Sequence, residues 1–135
     1  LSRGLGDVYK RQAEELCVSD GTTDGTKVIH EFQPGMASAE IRGLKATDSH
    51  LLIIANGVDN GVDTGHCLWS LDVSNLETTI VYDPWSGTGN NSDAGFYGEL
   101  FSSAEMVLFV ADNGLNGHEL HMWSPLSITD EWLIW

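Results

Sequence analysis

The stretch Leu51-Leu52-Ile53-Ile54-Ala55-Asn56 is an apolar run in which hydrophobic and polar residues do not alternate. A β-strand of this composition must be covered on both faces, because both faces are apolar. A similar run, Val107-Leu108-Phe109-Val110-Ala111-Asp112, follows 56 residues later, and its Val and Phe also favour a strand. The two runs predict equivalent strands, each in a sheet that lies between two neighbours.

Three leucines at constant spacing indicate an internal repeat. Leu16, Leu68 and Leu120 are 52 residues apart, and Asp20 and Asp72 keep the same spacing. Longer loops at 56–65 and 83–91 account for the shift to 56, since repeat scaffolds tolerate insertions in polar loops. We predict repeat 1 at 14–65, repeat 2 at 66–117 and a truncated repeat 3 at 118–135.

Each copy is predicted to hold four short strands separated by Asn-Gly, Asp-Gly and Pro-Gly turns. The predicted strands are 16–19, 27–32, 41–46 and 51–55 in the first copy, then 68–71, 78–82, 96–101 and 106–111 in the second. Four strands in about fifty residues are typical of a propeller blade. The predicted fold is all-β, with tandem four-stranded antiparallel repeats forming a partial β-propeller. A β-sandwich-like pair of sheets is the alternative.

The chain is strongly acidic, with 20 Asp and Glu against 6 Lys and Arg and a net charge of −14. Residues 1–13 hold three of the bases and do not fit the repeat, so they are predicted to be a non-native or disordered tail. Phosphate binding requires clustered Lys and Arg, so nucleic acid is excluded as a partner. No apolar run approaches the ~20 residues of a membrane-spanning helix, which excludes direct membrane insertion.

The first copy reads Glu15-Leu16-Cys17-Val18-Ser19-Asp20-Gly21-Thr22, followed by Gly25-Thr26 and Pro34-Gly35. With these motifs the sequence resembles the ELWxxDGT (hyalin-like) repeat family of bacterial and archaeal surface proteins. Cys17 and His121 stand where that family has tryptophan. The resemblance implies a secreted or surface-anchored propeller-like array that has no catalytic residues and depends on neighbouring repeats of a full-length chain.

Two acidic loops are candidate calcium sites. Calcium takes six to eight oxygen ligands, many of them from Asp, Asn and backbone carbonyls. Neither loop contains the run of an EF-hand, and Asn-Gly and Asp-Gly pairs equally predict type I′ hairpin turns. Both interpretations stay open, and no cofactor other than calcium is expected. The candidate ligands are Asp59, Asp63, Asp112, Asn113 and Asn116.

The cysteines and histidines form no catalytic or zinc motif. Cys17 and Cys67 lie on equivalent strands of neighbouring copies, which allows either a disulfide or two buried free thiols. The segment from His118 to His121 lacks the spacing of H-E-x-x-H, and on a strand the two histidines face opposite sides.

We expect a fragment of a non-catalytic extracellular or cell-surface repeat protein with a structural or adhesive role. Its partner would be an unknown protein or glycan. Trp69 is predicted in the core, whereas Trp85 lies in the longer loop, where it could stack on a sugar or pack within the loop. A calcium-stabilised structural array and the propeller portion of a secreted hydrolase are the alternatives. An enzyme is not expected, because the chain has neither a nucleophile elbow nor a P-loop.

Overall fold

A computed structural model of the chain describes residues 14–35, 37–87, 89–96, 100–103 and 106–124. Its regular structure is entirely β, and the described residues contain no helix long and apolar enough to cross a membrane. The predicted tail at 1–13 and residues 125–135 of the predicted third repeat lie outside the described residues. The strands are β1 (Leu16–Val18), β2 (Lys27–His30), β3 (Gly43–Ala46), β4 (His50–Asp59), β5 (Val62–Asp72), β6 (Thr78–Tyr82), β7 (Phe101–Ser103), β8 (Met106–Asp112) and β9 (His118–Trp123).

These strands form three antiparallel sheets in chain order. The first sheet is β1-β2, the central sheet is β3-β4-β5-β6 and the third sheet is β7-β8-β9. None of the three closes on itself within the described part of the chain. The all-β antiparallel prediction is confirmed. The prediction of a strand starting at Phe96 is wrong, because Phe96 lies in a turn after Gly95, whose φ of 74° suits a turn.

The predicted loop at 56–65 is also wrong, since β4 and β5 continue through it as one long hairpin. Asp59 pairs with Val62 across a two-residue turn, Asn60-Gly61. Both turn residues have positive φ, 50° and 80°, as a type I′ turn requires. The predicted repeat boundary at 65/66 therefore falls inside β5, and the central sheet combines strands from both predicted copies.

The first core lies between the first and central sheets. Successive residues of a strand point to opposite faces, and the odd-numbered residues of β4 and β5 face this side. Burial of each large aliphatic side chain contributes about 1.5–3 kcal/mol. The buried residues of this core are Leu16, Phe32, Ala39, Ile53, Ala55, Cys67, Trp69 and Leu71.

The second core lies between the central and third sheets, and it uses the even-numbered residues of the same two strands. The non-alternating run of β4 is therefore covered on both faces, as its composition predicts. The buried residues of this core are Leu52, Ile54, Leu68, Ala94, Leu100, Val107, Phe109 and Ala111.

Strand registers recur along the chain at the spacings found in the sequence. In the β1–β2 pair a register irregularity follows Leu16, and the β5–β6 pair has one after Leu68. Two pairings in the first pair, Leu16↔His30 and Cys17↔Val28, correspond 52 residues later to Leu68↔Tyr82 and Trp69↔Ile80. The pairing Ile54↔Leu68 corresponds to Val110↔Leu120, which lie 56 and 52 residues later.

The same turn, held by an aspartate side chain, follows two corresponding strands. Asp20 Oδ1 accepts hydrogen bonds from the backbone N–H and hydroxyl of Thr22 at 2.9 and 2.7 Å. Asp72 Oδ1 accepts the same two from Ser74 at 2.8 and 2.7 Å. Such Asx turns hold the chain where it leaves a strand. They explain why aspartate recurs at a spacing of 52.

Candidate functional site

An open cleft of about 240 Å³ lies between the central sheet and Trp123, the last residue of β9. Val81 contributes an apolar patch, but most of the other lining side chains are polar. The lining therefore combines one indole ring with several hydrogen-bonding groups. The polar lining residues are His50, Ser70, Asp72, Glu77 and Thr79.

The alternation of strand residues explains how these groups meet. Ser70 and Asp72 follow Leu68 at intervals of two and so share its face of β5. Across the sheet, His50 pairs with Asp72 and Thr79 pairs with Ser70. The face of the central sheet that carries the second core thus changes from apolar to polar toward this end of β5.

The Ser70 hydroxyl is a buried group of the cleft that lacks a hydrogen-bond partner. Ser70 is only 4% exposed, and its buried Oγ has no hydrogen-bond partner within the described structure. A buried hydroxyl without a partner costs about 1–3 kcal/mol, so proteins seldom leave one unpaired. Ser70 is therefore a polar group of the cleft lining that the described structure leaves without a hydrogen bond.

The acidic groups of the cleft act as hydrogen-bond acceptors. The Ser74 hydroxyl and backbone N–H bond to Asp72 and lower the pKa of its carboxyl. Glu77 Oε2 accepts a hydrogen bond from Asn75 Nδ2 at 3.2 Å. A glycosidase general acid needs a raised pKa, and Asp72 departs in the opposite direction. Asp72 is thus suited to binding rather than to proton donation.

The first pair of predicted calcium ligands flanks the turn of the β4–β5 hairpin. Asp59 Oδ2 accepts a hydrogen bond from Asn60 Nδ2 at 3.2 Å. Asp63 Oδ1 accepts one from the backbone N–H of Gly65 at 2.9 Å. These bonds stabilise the hairpin locally and use one oxygen of each carboxylate.

The other three predicted ligands lie at the end of β8 and in the turn that follows it. Asp112 Oδ1 accepts a hydrogen bond from Gly114 N–H at 2.7 Å. Asn113 Oδ1 accepts from the backbone N–H groups of Leu115 and Asn116 at 2.9 and 3.0 Å. Among the residues placed in the structure, no three His, Cys, Asp or Glu side chains converge as a metal site requires. The calcium site stays a prediction.

Both cysteines are free thiols, so the disulfide alternative is wrong. Cys67 is buried, and burial raises the pKa of its thiol to about 12. Cys17 is exposed rather than buried, because it lies on the face of the two-stranded first sheet that neither of the other two described sheets covers.

The aromatic predictions have separate outcomes. Trp69 is a core residue, as predicted, and its Nε1 donates a hydrogen bond to the carbonyl of Ala55 at 3.1 Å. The ring of Trp85 lies against Gly114, where an added Cβ would come within 2.6 Å of the ring. Loop packing thus describes Trp85 better than an open sugar platform.

The two histidines of the 118–121 segment have different neighbours. His118 Nε2 lies 3.5 Å from Asp93 Oδ2, whereas His121 Nδ1 lies within hydrogen-bond distance of the Tyr82 hydroxyl, at 3.0 Å. The two histidines therefore serve different contacts.

Sequence reasoning missed the cleft and also a charged cluster between the central and third sheets. Arg42 Nη1 lies 2.5 Å from Asp93 Oδ1, and its Nη2 lies 3.9 Å from Glu40. His66 Nε2 lies 3.3 Å from Glu40, and His118 completes the cluster beside Asp93. The only signal for the cleft was the alternate polar positions of Ser70 and Asp72 beside an apolar strand.

Comparison of this chain with family models, curated proteins and solved structures gives no match.

Proposed function

We propose that this chain is part of a non-catalytic, extracellular or cell-surface repeat protein in which successive four-stranded sheets stack face to face, as in a propeller. Its role would be structural, adhesive or ligand-binding. The observation that supports this proposal is a pair of corresponding sheet faces. One face is covered by the next sheet, and the other, called the bare face below, is not covered by another described sheet. The recurring strand registers support the same interpretation.

The covered face belongs to the central sheet. Leu52, Ile54 and Leu68 lie on it and are fully buried against the third sheet. The third sheet contributes Val107, Phe109 and Ala111 to this contact. Stacked sheets pack about 10 Å apart, and their apolar faces interdigitate. This contact defines how one sheet covers the next.

The bare face, which no other sheet of the described residues covers, belongs to the third sheet. Leu108, Val110 and Leu120 follow the three central-sheet residues by 56, 56 and 52 positions. Leu120 is 68% exposed, and on the same face Phe101 and Met122 are 66% and 41% exposed. A contiguous apolar face of this kind marks an interaction surface. We infer that a further sheet of the same repeat type covers it.

The acidic composition supports the proposed surface location. Charge that is dispersed over a β protein favours solubility and opposes binding to phosphate-rich partners. In the cleft, the lowered pKa of Asp72 makes that carboxyl unsuited to be the general acid of the alternative, a hydrolase propeller, since such an acid needs a raised pKa.

The bare face is testable by self-association of the isolated chain. Sedimentation velocity over a range of concentrations should show oligomers, because two bare faces gain by burying each other. Leu120→Asn should weaken this association, whereas Leu115→Asn should not, since Leu115 is 87% exposed but lies in the turn between β8 and β9. A monodisperse chain that melts cooperatively as a monomer would contradict the stacked array.

A further inference from the structure

We propose that the cleft between the central sheet and Trp123 binds one ring of a neutral saccharide. The proposal gives a ligand class to the binding surface inferred above and rests on that function. The indole of Trp123 would contact the apolar face of the sugar ring. Ser70, Asp72 and Glu77 would bond its hydroxyl groups.

The buried Ser70 hydroxyl favours a polyhydroxylated ligand. It is both a donor and an acceptor, as each sugar hydroxyl is. Its oxygen has almost no accessible surface, so on binding the Ser70 side chain would turn toward a ligand hydroxyl, which would supply the partner that the described structure lacks. Because the pairing ends an unfavourable state of the free protein, it adds affinity as well as orientation.

The charge of the cleft restricts the ligand class further. Asp72 and Glu77 carry carboxylates that only accept hydrogen bonds when ionised. No Lys or Arg contributes to the described lining, and His50 is its one side chain that can become cationic, so at neutral pH the two carboxylates would repel a carboxylate or sulfate ligand. Neutral hydroxyl groups can donate to them at no such cost. The cleft therefore selects against acidic sugars.

The size of the cleft sets the length of the ligand. Its volume of about 240 Å³ is below the roughly 300–1,000 Å³ of pockets that enclose drug-sized molecules. One sugar ring fits that scale, and the open side leaves room for the rest of a glycan. Trp123 supplies a flat amphipathic surface of the kind that aromatic residues present to mixed polar and apolar ligands.

The positions 52 residues earlier show that the cleft is not a general product of the strand pattern. Val18 and Lys27 stand where Ser70 and Thr79 stand, and Leu71 stands where Trp123 stands. The first core therefore ends without the hydroxyl pair or the indole. The chemistry of the cleft is specific to the contact between the central and third sheets.

The test is titration of the whole chain with glucose, galactose, mannose, N-acetylglucosamine and glucuronate, followed by saturation-transfer NMR. We expect at least one neutral sugar to bind and glucuronate to bind more weakly. Ser70→Ala should lower the affinity about five- to tenfold, the scale of one hydrogen bond. The melting temperature of Ser70→Ala should stay level or rise, because the variant removes an unpaired hydroxyl.

Glu77→Gln provides a second variant, and Asp24→Asn, an exposed acid between β1 and β2, is its matched control. Glu77→Gln should weaken saccharide binding and Asp24→Asn should leave it unchanged. The proposal is overturned if no neutral sugar binds, if glucuronate binds best, or if neither Ser70→Ala nor Glu77→Gln changes the affinity. A chain that binds sugar without self-associating would remove the stacked array and keep this site.

Discussion

Arg42 donates a hydrogen bond to Asp93, with 2.5 Å between Nη1 and Oδ1, and so joins the segment before β3 to the segment before β7. Glu40 lies 3.9 Å from the other terminal nitrogen of the same guanidinium. Glu40 and Asp93 both have positive φ, 44° and 49°, which is uncommon for residues other than glycine. Two unusual backbone positions thus place carboxylates around one arginine between adjacent sheets.

Arg42→Met should destabilise the chain by about 1–2 kcal/mol at neutral pH, because it leaves the partly buried Asp93 without its cation. Urea unfolding followed by tryptophan fluorescence measures the change. Lys45→Met, an exposed residue in β3, is the control and should have little effect. Equal losses in the two variants would show that the ion pair adds nothing.

The ion pair of Arg42 and Asp93 also predicts that the free energy of unfolding falls at acidic pH. Burial acts to raise the pKa of Asp93, but the hydrogen bond and charge of Arg42 outweigh it and the pKa is lowered. The pair therefore stabilises the fold fully above the unfolded pKa near 3.9 and loses this effect as pH falls through the folded pKa. The free energy of unfolding of Arg42→Met should therefore depend less on pH in this acidic range.

His66 should make stability fall as the pH drops below about 6.5, its pKa in an unfolded chain. It is 3% exposed, and burial together with the charge of Arg42 lowers its pKa, although Glu40 opposes the change. The unfolded chain then binds a proton that the folded chain does not, so acid favours unfolding. His66→Phe should reduce the difference in melting temperature between pH 7.5 and 5.5. An unchanged difference would exclude His66 as the cause.

Gly57→Ala should destabilise the central sheet by about 1–3 kcal/mol, the usual cost of overpacking. The added Cβ would lie 2.3 Å from Cζ2 of Trp69, a buried ring whose position is held by its bond to Ala55. In a Trp69→Phe background the shorter ring should relieve the clash, and the two changes should not be additive. Additive losses in thermal unfolding would refute the contact.

The two cysteines should react at very different rates with a thiol reagent at pH 8. Cys17 is exposed and should react quickly in the native protein. Cys67 is buried with a pKa of about 12 and should react only on unfolding. One equivalent is expected in buffer and two in guanidinium. Cys17→Ser should abolish the fast reaction in buffer. A native chain in which no thiol reacts would contradict the exposure of Cys17.

Calcium removal should leave the melting temperature unchanged. The carboxylates of Asp63 and Asp112 and the amide oxygen of Asn113 already accept hydrogen bonds that define their turns. Melting curves in EDTA and in millimolar calcium measure the effect directly. A rise of several degrees in calcium would restore the calcium-stabilised array, and Asn113→Ala would then test which turn holds the ion.

The sequence predicts that the central hairpin consists of β-strands, but it does not predict how long these strands are. The composition of residues 51–55 predicts a strand covered on both faces, and both cores confirm this. The extension to Asp59 and Val62 was missed, although Asn60-Gly61 is a local turn signal that would have identified it.

Local sequence by itself determined the all-β class, the aspartates that end strands and the two-sided burial of Leu52 and Ile53, because these follow from side-chain alternation and turn chemistry between near neighbours. Only the tertiary structure decided which faces meet. Arg42 and Asp93 are 51 residues apart, and Ser70 of the central sheet and Trp123 of the third sheet line the same cleft. Periodicity specifies the face on which a residue lies, but stacking of the sheets selects its partner.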